Sequence, residues 1–314
     1  MGSWLNAKLT MFKRWFYILS GKSNTAIKQD EGKFYKKDDI AGYYNNLMGK
    51  VNNETPLDEN GIPLTQIGDN EFVHFPIAIF QYGLGSYDCY LAGKDNKYLD
   101  ALKKIADWGV ENQDSRGAWD CFGPLKSSKY TVSSMGQGEG ASVLIRAYTA
   151  FNDKQYLNAA KKAVDFMLTE ISNGGTAIRN EDSLYLEEYP QNPPRSVMNG
   201  WIFSLFGIYD LSIVEKSYLD EFELSSKTLS RTIDNYDNGY WSLYDLEKRV
   251  ASPAYHTLHI ALLNVMYDLT EDETYKNKAE KFRRYELKQL NKIRAIAKKL
   301  IQKLTEKSEM VVMK

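Results

Sequence analysis

Two adjacent acids, Glu187 and Glu188, stand directly before Tyr189 in "EEYPQNPPR", a stretch that holds three of the chain's 8 prolines and ends on Arg195. Proline fixes φ and bars regular structure, so this loop is stiff and holds its neighbouring side chains in one geometry. A carboxylate, a phenol and a cation held together suit two chemistries on a sugar. Glycoside hydrolysis needs two carboxylates flanking the scissile bond. Removal of a proton α to a carboxylate needs a base on one face, a neutral acid on the other, and a cation or dipole for the developing charge. Sequence neighbours such as Glu187 and Glu188 cannot straddle one bond in most backbone geometries, which favours proton abstraction.

A second cluster, "YDLEKRVASPAYHT", adds Tyr244, Lys248, Arg249, Tyr255 and His256, with His259 one turn further on. Other chemistries fit less well. A serine or cysteine nucleophile lacks partners, since the chain has three histidines, no elbow motif, and neither Cys89 nor Cys121 lies near a histidine in sequence. His256 and His259 have no third ligand of matching type, so a structural pair in or beside a buried helix is preferred to a metal site. The glycine-rich "MGQGEG" has neither the preceding strand nor the lysine of a phosphate loop. The two cysteines have no metal-like spacing and argue against a disulfide scaffold. With 40 basic and 41 acidic residues the chain has no general attraction for nucleic acid.

These residues must be positioned by helices. "NKYLDALKKIADWGVEN" and "KQYLNAAKKAVDFMLTE" share a Tyr-Leu pair, a Lys-Lys pair and an aromatic after Asp, and "KSYLDEFELSSKTLSRT" and "ETYKNKAEKFRRYELKQ" are fainter relatives. The reference tyrosines Tyr98, Tyr156, Tyr218 and Tyr275 recur roughly every sixty residues, the mark of a stacked structural unit. A more apolar helical run precedes each copy. Apolar all round means buried, whereas the lysine-rich partner has one wet face. Buried helices inside, amphipathic helices outside and loops gathered at one end describe a mainly α chain, an incomplete α/α toroid of about four helix-hairpin repeats. The loops "SSMGQGEG", "EEYPQNPPR" and "YDLEKRVASPAYHT" should then converge at one mouth, where helix N-termini favour an anion.

The ends read differently. Residues 1–73 form a turn-rich arm, an extended or small β segment packed on the toroid of residues 74–285. Its start, "MGSWLNAKLTMFKRWFYILSGK", reads as a surface amphipathic helix, because the apolar run Trp15 to Leu19 is too short for a signal peptide or a membrane span. Residues 286–314 read as a basic amphipathic helix with a stripe of Leu287, Leu290, Ala297, Leu300 and Leu304. An outer helix covering the toroid is preferred there to a peripheral membrane or polyanion dock.

"MGQGEGASVLIRAY", "LEEYPQNPPRSVMNGWIFSLFGIYDL", "GYWSLYDL" and "ASPAYHTLHI" resemble the C-terminal domain of the D-glucuronyl C5-epimerases, as do "GIPLTQIGDNEFVHFPIAIFQYGL" and "ADWGVENQDSRGAW". The resemblance implies an α/α toroid and a cofactor-free, metal-free exchange of the C5 proton of a hexuronate within a polysaccharide, interconverting glucuronate and iduronate. Carried over by position, Glu188 and Tyr255 become the acid/base pair on opposite faces, with Tyr189 and Tyr244 lining the same pocket. Arg195, Arg249, Lys248, Gln137, Glu187, Asn199 and His256 are then the expected substrate-binding residues. The sequence departs from animal members twice. They carry a β-rich domain between the "QYGL" and "ADW" segments, whereas this chain runs from Leu84 to Ala106 through helical patterns alone. An arginine follows their "YDL", where this chain has Glu247. The readings left beside epimerisation are a polysaccharide lyase or hydrolase on a similar toroid and a non-catalytic glycan-binding protein. A uronate-containing polysaccharide is the expected partner, with nucleic acid excluded and a homodimer left open, and the lysine-rich composition and free cysteines suggest a cytoplasmic setting.

Overall fold

A computed structural model describes residues 30–51, 54–68, 70–125 and 129–305, with side chains to residue 302. The expected helix at the start of the chain, and the side chain of Leu304, lie outside the described residues. Four helix hairpins follow one another. They pair α1 (Pro76–Gly93) with α2 (Asn96–Glu111), α3 (Ser134–Phe151) with α4 (Lys154–Leu168), α5 (Met198–Val214) with α6 (Leu219–Thr232), and α7 (Pro253–Thr270) with α8 (Glu273–Glu286). The inner helices α1, α3, α5 and α7 pack on one another in that order, and each outer helix backs its own partner. The fold is an incomplete α/α toroid, mainly helical.

The hairpins are made the same way. Inner helices α1, α3 and α7 end on a left-handed residue, Lys94 (φ 56°), Asn152 (φ 54°) or Glu271 (φ 58°). The next residue is an aspartate, Asp95, Asp153 or Asp272, whose side chain accepts from a backbone N–H and caps the outer helix. A left-handed stop followed at once by an N-cap reverses the chain within two residues. The third hairpin lacks this cap and turns through a short 3-10 segment, Lys216–Tyr218.

The repeated tyrosine has a physical explanation. Tyr156 donates to Asp107 at 2.5 Å, Tyr218 to Asp165 at 2.7 Å, and Tyr275 to the carbonyl of Ser226 at 2.6 Å. Each repeat's tyrosine is therefore tied to the outer helix of the repeat before it. In the first two links the acceptor is the repeat's own aspartate, so one motif supplies both halves of a lateral stitch.

The inner helix α3 begins at Ser134 rather than after the glycines. "MGQGEG" is its first two turns, and the small residues serve packing: a Cβ on Gly138 would come within 2.6 Å of the Phe203 carbonyl, and one on Gly207 within 2.4 Å of the Gly138 carbonyl. Glycine here lets α3 and α5 cross backbone to backbone.

Residues 30–47 run across the C-terminal halves of all four inner helices. Glu31 accepts from Asn264 and Tyr35 donates to Asp268, both at 2.5 Å, on α7. The Asp38 N–H donates to the Tyr209 hydroxyl at 3.0 Å on α5, and the Tyr43 N–H to Asp88 at 2.9 Å on α1. At the centre, fully buried Arg146 of α3 donates to Asp210 of α5 at 2.6 Å and to the carbonyl of Gly42 at 3.0 Å. Tyr44 donates to the other oxygen of Asp210 at 2.7 Å. One end of the toroid is thus plugged by the arm, which leaves the N-terminal ends of the inner helices as the mouth. Asp210→Ala would strand the Arg146 charge without its counterion, and a loss of about 3–5 kcal/mol is expected in a urea unfolding series.

Two small antiparallel hairpins complete the chain: β1 (Thr65–Gly68) with β2 (Glu71–Val73), and β3 (Ala177–Asn180) with β4 (Ser183–Leu186). The first lies within the expected arm. The second was not anticipated, and it delivers the chain directly to Glu187. Helix α9 (Gln289–Thr305) does not cover the toroid with its leucine stripe. It packs through Ala295 on Trp241, Leu243, Val250 and Ala251, while Leu287 and Leu290 are exposed. A small residue permits close approach to the flat loop surface that longer side chains would hold off. Among the described residues no helix is long and apolar enough to cross a membrane.

Candidate active site

The mouth is knitted from three loops. The Ser134 N–H donates to the Glu187 carbonyl at 3.2 Å, the Met198 N–H to the Tyr244 carbonyl at 3.1 Å, and the Leu246 N–H to the Arg195 carbonyl at 2.8 Å. The proline loop, the start of α3 and the loop before α7 therefore form one body.

Glu187 holds the proline loop closed. One carboxylate oxygen accepts from the Arg195 N–H at 3.0 Å and the Ser196 N–H at 2.9 Å, and the other from the Ser196 N–H and hydroxyl. Ser196 sits at φ 40°, an uncommon backbone conformation for a side-chain-bearing residue, and Glu187 secures it there. Both oxygens belong to the loop, so Glu187, expected to bind substrate, instead acts as the loop's clamp.

Glu188 is placed differently. It is buried against the first turn of α5, and its Oε2 has no hydrogen-bond partner among the described residues. Burial pushes its carboxyl up to about 7, while the adjacent Tyr189 hydroxyl and the Arg195 guanidinium pull the other way. A carboxyl poised near neutrality can both take and return a proton. Gly200 makes this placement possible, because a Cβ there would stand 2.5 Å from Oε2 and 2.9 Å from the Glu188 Cβ. Gly200→Ala should displace the carboxyl with the helices intact. The expected result is a loss of about 10²-fold in any proton transfer that uses Glu188 at near-unchanged circular dichroism, and a wild-type rate would show that Glu188 needs no such placement.

The tyrosines surround Glu188. Tyr189 stacks on Phe122 at 5.1 Å between centroids, with Arg195 4.8 Å over its ring. Tyr244 and Tyr255 meet edge to face at 5.1 Å. Tyr255 stands in the first turn of α7 and is 40% exposed, the largest exposure among the four expected catalytic residues. Desolvation of its hydroxyl, reinforced by the Glu188 charge, pushes the phenol up to about 12. Tyr189 and Tyr244 are raised further by burial and by the same carboxyl. All three phenols are therefore neutral donors at ordinary pH.

Asp245 was overlooked in the sequence although it lies inside the "YDL" block. It is buried between two arginines, accepting from Arg249 Nε at 2.6 Å and Arg195 Nε at 3.3 Å. Burial pushes it up to about 7 against the pull of Arg195. It orients both guanidinium groups beside the tyrosines. Glu139 was also missed because its segment read as a turn. It is buried on α3, one oxygen accepting from Gln81 at 2.8 Å and the other without a partner, and burial pushes it up to about 8. Gln137 Oε1 and Asn199 Oδ1, on the first turns of α3 and α5, are likewise buried acceptors without a partner among the described residues. Buried amide oxygens such as those of Gln137 and Asn199 suit a ligand rich in hydroxyl donors.

Two expected binding residues are elsewhere. His256 stacks on Trp241 at 3.7 Å and accepts at Nδ1 from the Ser242 N–H at 3.1 Å, while Nε2 faces the Phe282 carbonyl at 3.0 Å. A backbone N–H only donates and a carbonyl only accepts, so this imidazole is neutral with its proton on Nε2. Burial holds it down at about 4. Ser242 Oγ also meets His259 Nδ1 at 2.9 Å, which makes the two histidines a structural pair behind the mouth. Lys248 turns outward and donates to the Asn235 carbonyl at 3.0 Å.

Residues 113–284 match the family model described as D-glucuronyl C5-epimerase C-terminus. The chain belongs to that family. It is 32% identical over 216 residues to the D-glucuronyl C5-epimerase of Caenorhabditis elegans, covering 59% of this chain and 35% of that one. It is also 28% identical over 148 residues to an uncharacterized protein of Methanocaldococcus jannaschii, covering 45% and 47% respectively. The chain therefore spans between a third and a half of the length of these curated relatives. A solved polysaccharide lyase aligns over 77% of this chain and 35% of its own at 13% identity, with a TM-score of 0.45, too distant a likeness to bear on function. The matched span of the C5-epimerase family contains both mouth clusters, from Glu187 to Arg195 and from Tyr244 to Tyr255.

Proposed function

We propose that this protein is a uronosyl C5-epimerase acting on glucuronate or iduronate residues within a polysaccharide. The observation that carries the reading is Glu188, a buried carboxyl poised near neutrality with an oxygen that has no hydrogen-bond partner among the described residues, set among the neutral phenols of Tyr189, Tyr244 and Tyr255. Glu188 removes the C5 proton from one face. The electron pair moves into the adjacent carboxylate as an enolate, stabilised by the cationic side of the Arg195, Asp245 and Arg249 cluster and by the phenols of Tyr189 and Tyr244. Tyr255 returns a proton from the other face and inverts the centre. The reverse direction exchanges the two roles, with Tyr255 as the phenolate base and Glu188 as the acid. Membership of the C5-epimerase family supports the reaction class, and the buried amide acceptors of Gln137 and Asn199 support a sugar substrate.

The test is incubation with heparosan and related uronate polymers in heavy water. Deuterium at C5 with appearance of the epimer and no chain cleavage is expected. New unsaturated ends would mean a lyase, and binding without exchange a glycan-binding protein; either would overturn the reading.

A further inference from the structure

The hairpin that carries Tyr244 and Arg249 has a second side. Leu243 and Val250 pair across it, and with Tyr240 and helix α9 they enclose a cleft of about 590 Å³ outside the mouth. Three cations line this cleft: Lys248 from the hairpin and Arg294 and Lys298 from α9. The one acid on its wall, Asp237, is already matched by Lys278 at 3.3 Å and Lys281 at 2.8 Å. The lining is therefore net positive. The Arg294 guanidinium carbon stands 3.9 Å from the centroid of the half-buried Tyr240 ring, so an aromatic side chain and a cation lie together in the cleft wall.

Cleft and mouth adjoin. Leu243 and Val250 line the cleft, while their chain neighbours Tyr244 and Arg249 belong to the mouth. On α9, Lys298 lines the cleft and the next residue, Lys299, lies 5.6 Å over the Tyr244 ring. Consecutive Cα atoms are about 3.8 Å apart, so the two sites are separated by little more than the hairpin itself. A chain of sugars threading the mouth would meet the cleft within a few residues of its target.

We infer that this cleft is a polymer subsite, which binds the carboxylate of a neighbouring uronate on the same acidic polysaccharide whose target sugar occupies the mouth. The inference rests on the epimerase reading for the identity of the polymer. It gives the basic helix α9 a role as part of the substrate track. It also returns Lys248 to substrate binding at a different place from the one expected. The cation-lined cleft, one hairpin away from the mouth, favours a polyanion chain over a membrane surface, and exposed Leu287 and Leu290 take no part in it.

The test compares heparosan tetrasaccharide and dodecasaccharide on the full chain, using the double variant Arg294→Ala, Lys298→Ala and the charge reversal Lys298→Glu. With the double variant, KM for the dodecasaccharide should rise about tenfold at unchanged kcat, while KM for the tetrasaccharide moves less than about twofold. Lys298→Glu should act in the same direction. Calorimetric binding of the dodecasaccharide in a Glu188→Gln background should weaken in parallel. If the wild type exchanges C5 hydrogen but the variants keep their long-chain KM, the subsite is refuted and the epimerase reading stands. If no uronate polymer undergoes exchange but dodecasaccharide binding still falls with the cleft substitutions, the subsite stands and the epimerase reading falls. Loss of binding to phosphatidylglycerol vesicles with dodecasaccharide affinity unchanged would make the cleft a lipid contact and overturn the inference.

Discussion

Glu188→Gln is expected to abolish C5–H exchange, by about 10²- to 10⁴-fold, and at the same time to make the protein more stable at neutral pH. Both effects follow from burial. The carboxyl lies against the backbone at Gly200, and its desolvation pushes its pKa from the ordinary 4.5 to about 7. A folded-state pKa above the unfolded value means that the native state binds the proton more tightly, so stability falls as pH rises from the unfolded value through about 7. Glutamine never bears that charge. A gain on the order of 3 kcal/mol is expected at about pH 8, shrinking to nearly nothing by about pH 4, where the wild-type carboxyl is mostly protonated in both states. In the wild type, exchange should fall about tenfold per unit below pH 7, because the base must be ionised. Chemical denaturation of both proteins at the two pH values, with exchange measured across the range, checks this. A variant that is inactive but destabilised at pH 8 would show that Glu188 is held by favourable contacts and is no poised base.

Tyr255→Phe should separate exchange from inversion. The substitution removes only the hydroxyl, and the ring is already partly exposed, so the fold should be unaffected. Glu188 remains able to remove the C5 proton and return a solvent proton to the same face. In heavy water the variant is expected to place deuterium at C5 of the starting uronate, while production of the epimer drops at least about 10²-fold. Epimerisation at the wild-type rate would remove Tyr255 from the mechanism. Equal loss of exchange and inversion would move its role from the opposite face to stabilisation of the enolate. The same pair of measurements on Tyr189→Phe and Tyr244→Phe should show both rates falling together, since these phenols are placed to stabilise charge common to both directions.

Much of this was legible in the chain. The repeat of Tyr98, Tyr156, Tyr218 and Tyr275 announced four stacked units, because a lateral stitch used at each step must recur at each step. The apolar runs announced which helices are inside, because only a buried helix can be apolar all round. The proline loop announced a rigid site. Less legible were the features in which one residue type serves two purposes. Glycines at alternate positions in "MGQGEG" look like a turn, yet here they allow α3 and α5 to touch, and only the facing carbonyls of Phe203 and Gly138 distinguish the cases. The stripe of Leu287 and Leu290 looked like a packing face, while the packing is done by Ala295, whose smallness matters only once the opposing loop is known.

The sequence by itself determined the architecture and the region of the site, because helix periodicity, caps and repeat spacing act over a few residues and are written locally. The tertiary structure decided the division of labour between side chains of the same type. Residue type and spacing do not separate Glu187 from Glu188; only the family resemblance assigned them different roles. One finds the N–H groups of Arg195 and Ser196 and becomes a clamp, whereas the other finds the bare backbone of Gly200 and keeps an oxygen without a hydrogen-bond partner among the described residues. Desolvation and hydrogen-bond supply at each carboxyl depend on atoms brought in from distant segments, so only the packed chain makes the difference between them.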